Sequence, residues 1–409
     1  MKILWLSLSP SLYKTEQKGY NGIGWIAALE KEIKKKDLFE LAIAFWYTDN
    51  LFKVSGEKVT YYPMQKKKNL LSKWYKLTFN SKQDSLDLGA IKKVVQDYQP
   101  DLIHIFGSES NLGLICEHVN VPVVIHLQGI LNPYVNAWFP CGFSISDLFR
   151  CNGLNFKMIF NAWWGLKNNQ FMAQREIKIM KMCRHYMGRT QWDENVVKLL
   201  SLNAKYHYCS EVLRNVFYHS AEIWSPQKHS RLIIQSTISS PLYKGLDMIL
   251  KTAKVLCRFS KLDFEWRVYG IHEAKLVERK LNIKSKDVNV KLIGVVSAEQ
   301  LKISLLECSM YVHPSYIDNS PNSVCEAQIL GVPVIATHVG GLASIIEHNK
   351  NGILVPANDP YMAASYIQML FNDKSKSVQL GEEARYTALI RHNPKTVIAD
   401  LVHTYTDML

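Results

Sequence analysis

No stretch of this sequence is apolar for long enough to cross a membrane. A membrane-spanning helix needs about 18 or more consecutive apolar residues, and no run approaches that length. The opening MKILWLSLSPSLYK has too short an apolar block for a signal peptide and no small-residue cleavage pattern, so it predicts a first strand. We therefore expect a cytoplasmic protein.

Paired cysteines are lacking as well. The eight cysteines are scattered singly, without the spacing that zinc sites and redox dithiols use. We expect them to be reduced and mostly buried. Long repeats and low-complexity tracts are also absent, and no Asp-x-Asp motif follows a predicted strand. The sequence therefore contains no motif that demands a metal.

Positive charge is present in excess. The net charge is +13 and the isoelectric point is near 9.2, so an anionic partner is expected: a nucleotide, an acidic membrane face or a nucleic acid. Residues 66–79, KKKNLLSKWYKLTF, place apolar side chains on one helical face with lysines around it. This pattern predicts peripheral contact with an anionic membrane, although an ordinary amphipathic surface helix fits it equally well.

A nucleic-acid partner is not expected. The basic residues do not interleave with aromatic residues in the way that RNA-binding strands require.

The chain is long enough for two domains. Its 409 residues exceed the size at which one hydrophobic core keeps growing, and 47% of them are apolar. In the first half, continuous apolar runs (KILWLSLS, LAIAFWY, DLIHIFG, VPVVIHLQG) alternate with segments of helical period. Runs without polar alternation are typical of parallel strands covered on both faces, so the predicted class is doubly wound α/β.

The same alternation returns in the second half, from about Arg231 onward. Between the halves, residues 218–230 are polar and turn-prone, which predicts a hinge, and an aromatic-rich insertion interrupts the first half at about residues 131–190. The predicted organisation is a first domain over 1–220, a second over 228–392 and a C-terminal helix over 393–409 that packs on the first. Two such lobes are expected to face a cleft.

Residues 314–341, PSYIDNSPNSVCEAQILGVPVIATHVGG, combine two carboxylates with a helix start. Ser320 is a suitable cap, Pro321 suits the first helical position and Gly331 ends the helix. The amides at the helix start, together with the helix dipole, predict a site for an anion such as a diphosphate. The residues assigned to this anion site are Ser320, Asn322, Ser323 and Val324.

The two carboxylates predict a sugar beside that anion. Asp318 is costly next to a phosphate but suits hydroxyl groups, and Glu326 offers paired oxygens to the two hydroxyls of a ribose. Spacing alone fits equally well a turn residue at 318 and a solvated helix position at 326.

Further residues at strand ends point to the same ligand. Lys244 and Gly245 follow the strand RLIIQST and open a helix, so the ammonium of Lys244 would neutralise the diphosphate. Gly270 ends the strand EWRVYG, where a backbone can approach a ligand, and Gly22 and Gly24 occupy the equivalent edge of the first lobe.

With these residues in order, the second lobe resembles the group 1 glycosyltransferases, the retaining, nucleotide-sugar-dependent family with the two-lobed GT-B fold. The resemblance is carried, in order along the chain, by YKGLDMIL, WRVYG, NVKLIGVV, HPS, SPNSVCEAQILGVPVIATHVGG and NGILVPANDP. The first lobe is similar more loosely, through its glycine turn, DLIHIFG and VVIHLQG. GRTQWDEN and YHYCSEVLRNVFY look like stretches of bacterial polysaccharide-assembly members.

The resemblance implies roles for individual residues. Glu326 matches the family glutamate that holds the ribose, and Asp318 stands where the family normally has another glutamate. Lys244 matches the diphosphate-binding lysine. The arginine usually found just before that lysine is absent, and Arg189 is a candidate substitute. The family histidine of the first lobe falls on His126 or, in the other alignment, on Gln128.

The implied reaction moves a sugar from a nucleotide-diphosphate donor to a hydroxyl of a glycan or lipid-linked acceptor. The anomeric configuration would be retained through departure and attack on the same face. Lys244 and the helix amides would stabilise the leaving group without a metal or another cofactor. The alternatives are a GT-B-shaped nucleotide-sugar epimerase, a phosphorylase, for which no pyridoxal-phosphate lysine is identified, and a non-catalytic polyanion- or glycan-binding protein.

Overall fold

The structure of the protein is a computed structural model. It describes residues 1–13, 24–48, 52–65, 80–152, 156–226 and 231–409. Gly22 and the basic segment 66–79 lie outside the described residues, so the predictions made for them stay predictions.

The chain forms two compact α/β units. Unit 1 comprises Met1–Val135, Leu166–Val212 and His392–Leu409, and unit 2 comprises Asn136–Gly165 and Leu213–Arg391. Within the described ranges, no helix combines the length and the apolarity needed to cross a bilayer.

Unit 1 is built on a sheet with the strand order β3-β4-β2-β1-β5-β6-β7-β8. All neighbouring strands are parallel except β3 and β4, which are antiparallel. The strands are β1 (Lys2–Ser7), β2 (Glu40–Tyr47), β3 (Val54–Ser55), β4 (Val59–Gln65), β5 (Leu102–Phe106), β6 (Val123–His126), β7 (His185–Gly188) and β8 (Lys205–Tyr208).

The sheet of unit 1 is covered on both faces, as the unbroken apolar runs predict. Along β1, Ile3 and Trp5 enter one buried cluster while Leu4 and Leu6 enter another on the opposite face. The helices in this part of the chain are α1 (Trp25–Lys34), α2 (Asn80–Tyr98), α3 (Leu131–Asn136), α4 (Ile145–Asn152), α5 (Phe156–Met182) and α6 (Gln191–Leu200), with a 3-10 segment over Asn111–His118.

Unit 2 has a fully parallel sheet with the order β11-β10-β9-β12-β13-β14. Its strands are β9 (Leu232–Thr237), β10 (Phe264–Tyr269), β11 (Val290–Gly294), β12 (Met310–His313), β13 (Val334–Thr337) and β14 (Ile353–Val355). Its helices are α7 (Asn215–Tyr218), α8 (Leu246–Phe259), α9 (Lys275–Leu281), α10 (Ala298–Glu307), α11 (Asn322–Leu330), α12 (Pro360–Asn372) and α13 (Lys374–Arg391), with 3-10 segments over Ser285–Val288 and Gly340–Ser344. This order is the doubly wound one in which the direction of winding reverses between β9 and β12.

The last helix of the chain, α14 (Pro394–Met408), belongs to unit 1. Asn393 caps it by accepting a hydrogen bond from the Lys395 amide at 2.9 Å, and Pro394 takes the first turn, as the sequence predicts. The Tyr405 hydroxyl accepts a hydrogen bond from Trp5 Nε1 at 3.0 Å. Helix α14 therefore packs against α1 and the centre of the sheet of unit 1.

Two segments differ from the sequence prediction. Part of the aromatic insertion, residues 136–165, joins unit 2, because Phe143 packs in the core of that unit and Lys280 Nζ bonds to Asp147 Oδ1 at 2.8 Å. The predicted hinge is packed over its described part: Trp224 is buried and its indole Nε1 donates to the Cys308 carbonyl at 2.6 Å. The division between the units therefore falls earlier, between Val212 and Leu213.

Candidate functional site

In unit 2, the loops that follow β9 and β12 pack on each other at the point where the winding reverses. Gly245 has φ +79°, and a Cβ there would lie 2.0 Å from the Pro314 carbonyl oxygen, so only glycine fits. The Tyr316 amide donates to the Tyr243 carbonyl at 2.8 Å. This contact holds Lys244 beside the loop that follows β12.

Lys244 and Asp318 form a buried ion pair, with Lys244 Nζ 2.5 Å from Asp318 Oδ2. His313 Nε2 also bonds to Asp318 Oδ2, at 2.8 Å, and the Ser315 hydroxyl lies 3.0 Å from the same histidine nitrogen. Asp318 is only 5% exposed, so it is not a solvated turn residue. The sequence predicted Lys244 and Asp318 but not the two side chains that position them, which lie in the HPS motif.

The charges of this group are set by its own members. Burial alone would raise the pKa of Asp318, but the charge of Lys244 and the hydrogen bond from His313 outweigh it and hold the pKa well below its usual range. Burial lowers the pKa of His313, against the effect of Asp318. His313 is therefore neutral near pH 7 and donates its Nε2 proton to an ionised Asp318.

The double glycine at the end of residues 314–341 fixes the Asp318 backbone. The Gly341 amide donates to the Asp318 carbonyl at 2.9 Å. Gly340 has φ +52°, and a Cβ there would lie 1.8 Å from the same carbonyl oxygen. Glycine is needed here because the backbone lies so close to this carbonyl that a side chain would collide with it.

Helix α11 begins one residue later than the sequence predicts. Pro321 is the cap residue itself, and the cap makes no side-chain hydrogen bond, so the prediction that Ser320 caps this helix is wrong. The Val324 amide donates to the Pro321 carbonyl at 3.0 Å. The predicted anion-binding role is therefore withdrawn for this amide and stays a prediction for Asn322 and Ser323.

Glu326 lies inside unit 2 and is only 2% exposed, which excludes a solvated helix position. Arg214 holds both of its oxygens: Nε lies 2.7 Å from Oε1 and Nη2 lies 2.8 Å from Oε2. Burial raises the pKa of Glu326 and Arg214 opposes that shift without cancelling it. The sequence gives no signal for this pair because its members are 112 positions apart.

A backbone contact within unit 2 requires glycine at position 270. It has φ +94°, and a Cβ there would lie 2.3 Å from the Ile238 carbonyl oxygen. The close approach at this strand end is made by a carbonyl oxygen of the chain itself. A contact between Gly270 and a ligand stays a prediction.

In unit 1, His126 ends strand β6 and is fully buried. Its ring contacts Trp25, with centroids 4.9 Å apart, and stacks on His104 at 5.3 Å. Burial lowers the pKa of His126 well below its usual value, and neither ring nitrogen has a hydrogen-bond partner among the described residues. Gln128, the alternative position, lies just beyond the strand and is half-buried.

Arg189 also lies in unit 1 and is engaged there. Its Nη1 pairs with Glu211, its Nη2 donates to the Leu127 carbonyl at 3.2 Å, and its guanidinium lies 5.1 Å from the centre of the Trp25 ring. The role of Arg189 as the substitute for the missing arginine stays a prediction, and in this structure its guanidinium bonds to groups of unit 1. Gly24 is the cap residue of α1, with φ −89°.

The structure therefore brings Lys244, Asp318, Gly270 and the start of α11 to the same edge of the sheet in unit 2, with Glu326 further along α11. It places His126, Gly24 and Arg189 in unit 1.

Known proteins are similar to this chain in sequence and in fold. Residues 226–387 match the family described as glycosyl transferases group 1. An amylovoran biosynthesis glycosyltransferase of Erwinia amylovora is 29% identical over 167 residues, which are 38% of this chain and 40% of that protein. A D-inositol 3-phosphate glycosyltransferase of Pseudarthrobacter chlorophenolicus is 29% identical over 151 residues, 36% of each chain. The chain thus spans about two fifths of the length of the curated relatives it matches.

Solved structures are similar over the whole chain. A sucrose-phosphate synthase of Thermosynechococcus elongatus has a TM-score of 0.73 at 14% identity and covers 100% of this chain and 98% of its own. HepE of Anabaena, solved with UDP and glucose, has a TM-score of 0.63 at 15% identity with both chains covered completely. At this identity the likeness concerns the fold, and it confirms the predicted GT-B class. Over residues 226–387 the chain is thus similar to the group 1 glycosyltransferases, and the likeness of its fold extends over the whole chain.

Proposed function

We propose that the protein is a retaining hexosyltransferase that moves a sugar from a UDP- or GDP-linked donor to a hydroxyl of a glycan or lipid-linked acceptor. The observation that carries the proposal is the group formed by Lys244, Asp318 and His313 beside the start of α11, with buried Glu326 further along that helix. A nucleotide diphosphate needs a cation for its phosphates and a carboxylate for its ribose, and unit 2 contains both kinds of residue.

Lys244 would stabilise the leaving diphosphate by exchanging partners. In the structure its ammonium is neutralised by Asp318 at 2.5 Å, so neither charge is left without an opposite charge beside it. A diphosphate carries more negative charge than the Asp318 carboxylate. It would therefore interact more strongly with the Lys244 ammonium, and also with the positive N-terminal end of α11. Asp318, released from Lys244 but still bonded to His313, would then accept a hydrogen bond from a hydroxyl of the donor sugar.

This arrangement would act on the leaving group without a metal. The positive charge comes from Lys244 and from the helix dipole, both of which are part of the chain. Retention of the anomeric configuration is proposed from the family resemblance, and it is tested by nuclear magnetic resonance of the newly formed anomeric linkage.

Acceptor binding is proposed for unit 1, and His126, or Gln128 in the other alignment, is proposed there as a catalytic residue. The amylovoran relative favours a role in surface polysaccharide assembly, and the net charge of +13 favours peripheral contact with an anionic membrane from the cytoplasmic side. Absence of binding to vesicles of anionic lipid, together with equal activity on soluble acceptors, would contradict the membrane contact.

Titration calorimetry with UDP, GDP and ADP in the presence of EDTA tests the donor site. We expect one nucleotide to bind with micromolar affinity and the Glu326→Ala and Lys244→Gln variants to lose most of that binding. Lys251→Gln is the matched control, because Lys251 is a partly buried lysine of the same unit that pairs with Asp247 at 2.8 Å outside this group. Absence of binding by all three nucleotides would contradict the proposal and favour a non-catalytic glycan- or polyanion-binding protein.

A further inference from the structure

The pairing of Arg214 with Glu326 has the geometry of a rigid support. Two parallel hydrogen bonds of 2.7 and 2.8 Å join the guanidinium to the carboxylate, and a bidentate pair of this kind fixes orientation as well as distance. The guanidinium also lies 4.7 Å from the centre of the Phe217 ring. Phe217 is buried in the same cluster as Val324 of α11, so both partners are anchored to one core.

Glu326 needs this support because of its burial. A carboxyl group that is 2% exposed loses most of its hydration, which favours its neutral form. The neutral acid offers one donor proton and fewer acceptor sites, whereas a ribose presents two hydroxyl protons. A carboxylate that is to bind a ribose here must therefore be kept ionised by a neighbouring cation.

Arg214 is the charged group that acts on Glu326. Several elements pack against α11: helices α7, α10 and α13 and strands β12 and β13. The other titratable side chains of these elements whose contacts are described bond to groups other than Glu326. Arg385 donates to the Ile329 carbonyl, Arg391 to Gln328 Oε1, Tyr218 to the Leu389 carbonyl, Lys302 to Glu222 and His313 to Asp318.

The bidentate pair leaves lone pairs of the Glu326 carboxylate for the hydroxyls of a ribose. An ionised carboxylate has about four lone-pair directions, and the two bonds from Arg214 use one on each oxygen. The second direction on each oxygen remains available for a hydroxyl proton. Arg214 is itself 21% exposed at its side chain, so the pair reaches the surface of unit 2.

We propose that Arg214 is a positioning residue of the donor site, which holds the Glu326 carboxylate ionised and oriented so that its remaining lone pairs bind the ribose hydroxyls. The inference rests on the proposed function, because it assigns a nucleoside to Glu326. It gives a role in that function to Arg214, which lies before residue 226, where the match to the family begins.

Calorimetric titration of UDP between pH 7 and 8.5 tests the proposal. We expect Arg214→Gln to bind UDP about tenfold more weakly at pH 7, and to regain affinity as the pH rises by up to about tenfold per pH unit, because the unsupported carboxyl must lose its proton first. The wild-type protein should change little over this range. Arg214→Lys keeps the positive charge without the planar guanidinium, so its UDP affinity should lie between those of Arg214→Gln and the wild-type protein. This variant also serves as a control for loss of folding.

A double-mutant comparison separates support of Glu326 from direct contact with the phosphates. In the Glu326→Gln background, Arg214→Gln should cause no further loss of UDP affinity, and neither variant should change the affinity for pyrophosphate. Arg267→Gln is the matched control, since Arg267 is 25% exposed and pairs with the buried Glu265 at 2.8 Å in the same unit.

Three results would overturn the inference. The first is UDP binding by Arg214→Gln that equals the wild type at every pH. The second is a loss of UDP affinity of equal size in the Glu326→Gln background. The third is weakened pyrophosphate binding by the single variant. Absence of nucleotide binding by the wild-type protein would instead contradict the proposed function, on which this inference rests.

Discussion

Asp318 keeps its charge in a place from which water is largely excluded, and it does so through two side chains. Lys244 and His313 both contact its Oδ2 atom, and the Gly341 amide holds its backbone carbonyl. A buried charge with this many partners is oriented before any ligand arrives, which lowers the cost of binding. The position of Asp318 therefore depends on one charged neighbour, Lys244, and on one neutral neighbour, His313.

The first prediction concerns Gly340, which lets the chain pass against Asp318. We expect Gly340→Ala to destabilise the protein by about 1–3 kcal/mol, because the new Cβ would lie 1.8 Å from the Asp318 carbonyl oxygen at a φ of +52°. Thermal denaturation measures the loss, and UDP affinity should fall with it as Asp318 is displaced.

Gly89 provides the opposite case, since a Cβ there would meet no atom within 4 Å in the middle of helix α2. Gly89→Ala should stabilise the protein by about 0.5–1 kcal/mol through its helix propensity. Equal effects of the two substitutions would show that backbone contact at Asp318 is not the cause.

Individual site residues were predictable where a local pattern carried them. Lys244 follows a strand and opens a helix, and Asp318 and Glu326 flank a helix start, so spacing along the chain was enough. The pairings of Arg214 with Glu326 and of Arg189 with Glu211 were not predictable, because they are set by tertiary packing. Arg189 pairs with Glu211 in unit 1, and no periodicity of the sequence reports that contact.

At the scale of elements, one buried hydroxyl of α14 bonds to side chains of two strands of unit 1. Tyr405 Oη accepts a hydrogen bond from Trp5 Nε1 at 3.0 Å and lies 2.5 Å from His104 Nδ1. All three side chains are fully buried. Buried polar groups that lose a partner cost their full desolvation, so this hydroxyl stabilises the docking of the helix.

We therefore predict that Tyr405→Phe destabilises the protein by about 1–3 kcal/mol, because it leaves Trp5 Nε1 and His104 Nδ1 without the hydroxyl. Hydrogen exchange measured by mass spectrometry should show faster exchange in α14 than in the other helices of unit 1. Tyr386→Phe, at a side chain that is 64% exposed, should leave both stability and exchange unchanged. Equal exchange rates in α14 of the two variants would refute the role of the hydroxyl.

The strands that the sequence predicted are those with continuous apolar runs. Strands β1, β2, β5 and β6 of unit 1 were found in this way, whereas β3, β4, β7 and β8 were missed. Strand β4 contains Pro63, which normally argues against a strand. Its neighbour β3 has only two residues, and these pair with Thr60 and Tyr61. No residue of β3 therefore lies opposite Pro63, which has no amide hydrogen to donate.

For the whole molecule, the buried histidines of unit 1 set a dependence of stability on pH. Burial lowers the pKa of His104 to about 3 and that of His126 well below its usual value. In the unfolded chain both titrate near pH 6.5. Between these values the unfolded chain binds protons that the folded chain does not, so the free energy of unfolding falls as the pH falls.

We expect the free energy of unfolding to be at its full value above about pH 6.5 and to decrease by about 1.4 kcal/mol per pH unit for each histidine on acidification. Urea denaturation at pH 7, 6 and 5 measures the slope. His104→Phe removes one titrating group and keeps a ring that can stack on Phe106, now at 4.2 Å, so its slope should be smaller. An unchanged slope in this variant would contradict the assignment to His104.

The two-unit organisation was predictable because each unit repeats strands and helices with its own apolar content. The exact division was not. Residues 136–165 join unit 2 through Phe143 and the Asp147–Lys280 pair, which are contacts between positions far apart in the chain. Composition identifies an insertion of this kind, but only packing decides which core it completes.

The order of the segments along the chain has a consequence during synthesis. Unit 1 includes the last 18 residues, His392–Leu409, while the main part of unit 2, Leu213–Arg391, is continuous. A ribosome that releases the chain from its first residue onward therefore completes unit 2 while unit 1 still lacks α14. Unit 1 is thus the first unit whose translation begins and the last whose sequence is complete. Until α14 has been synthesised, the apolar surface around Trp5 lacks the Tyr405 side chain that packs there in the folded protein.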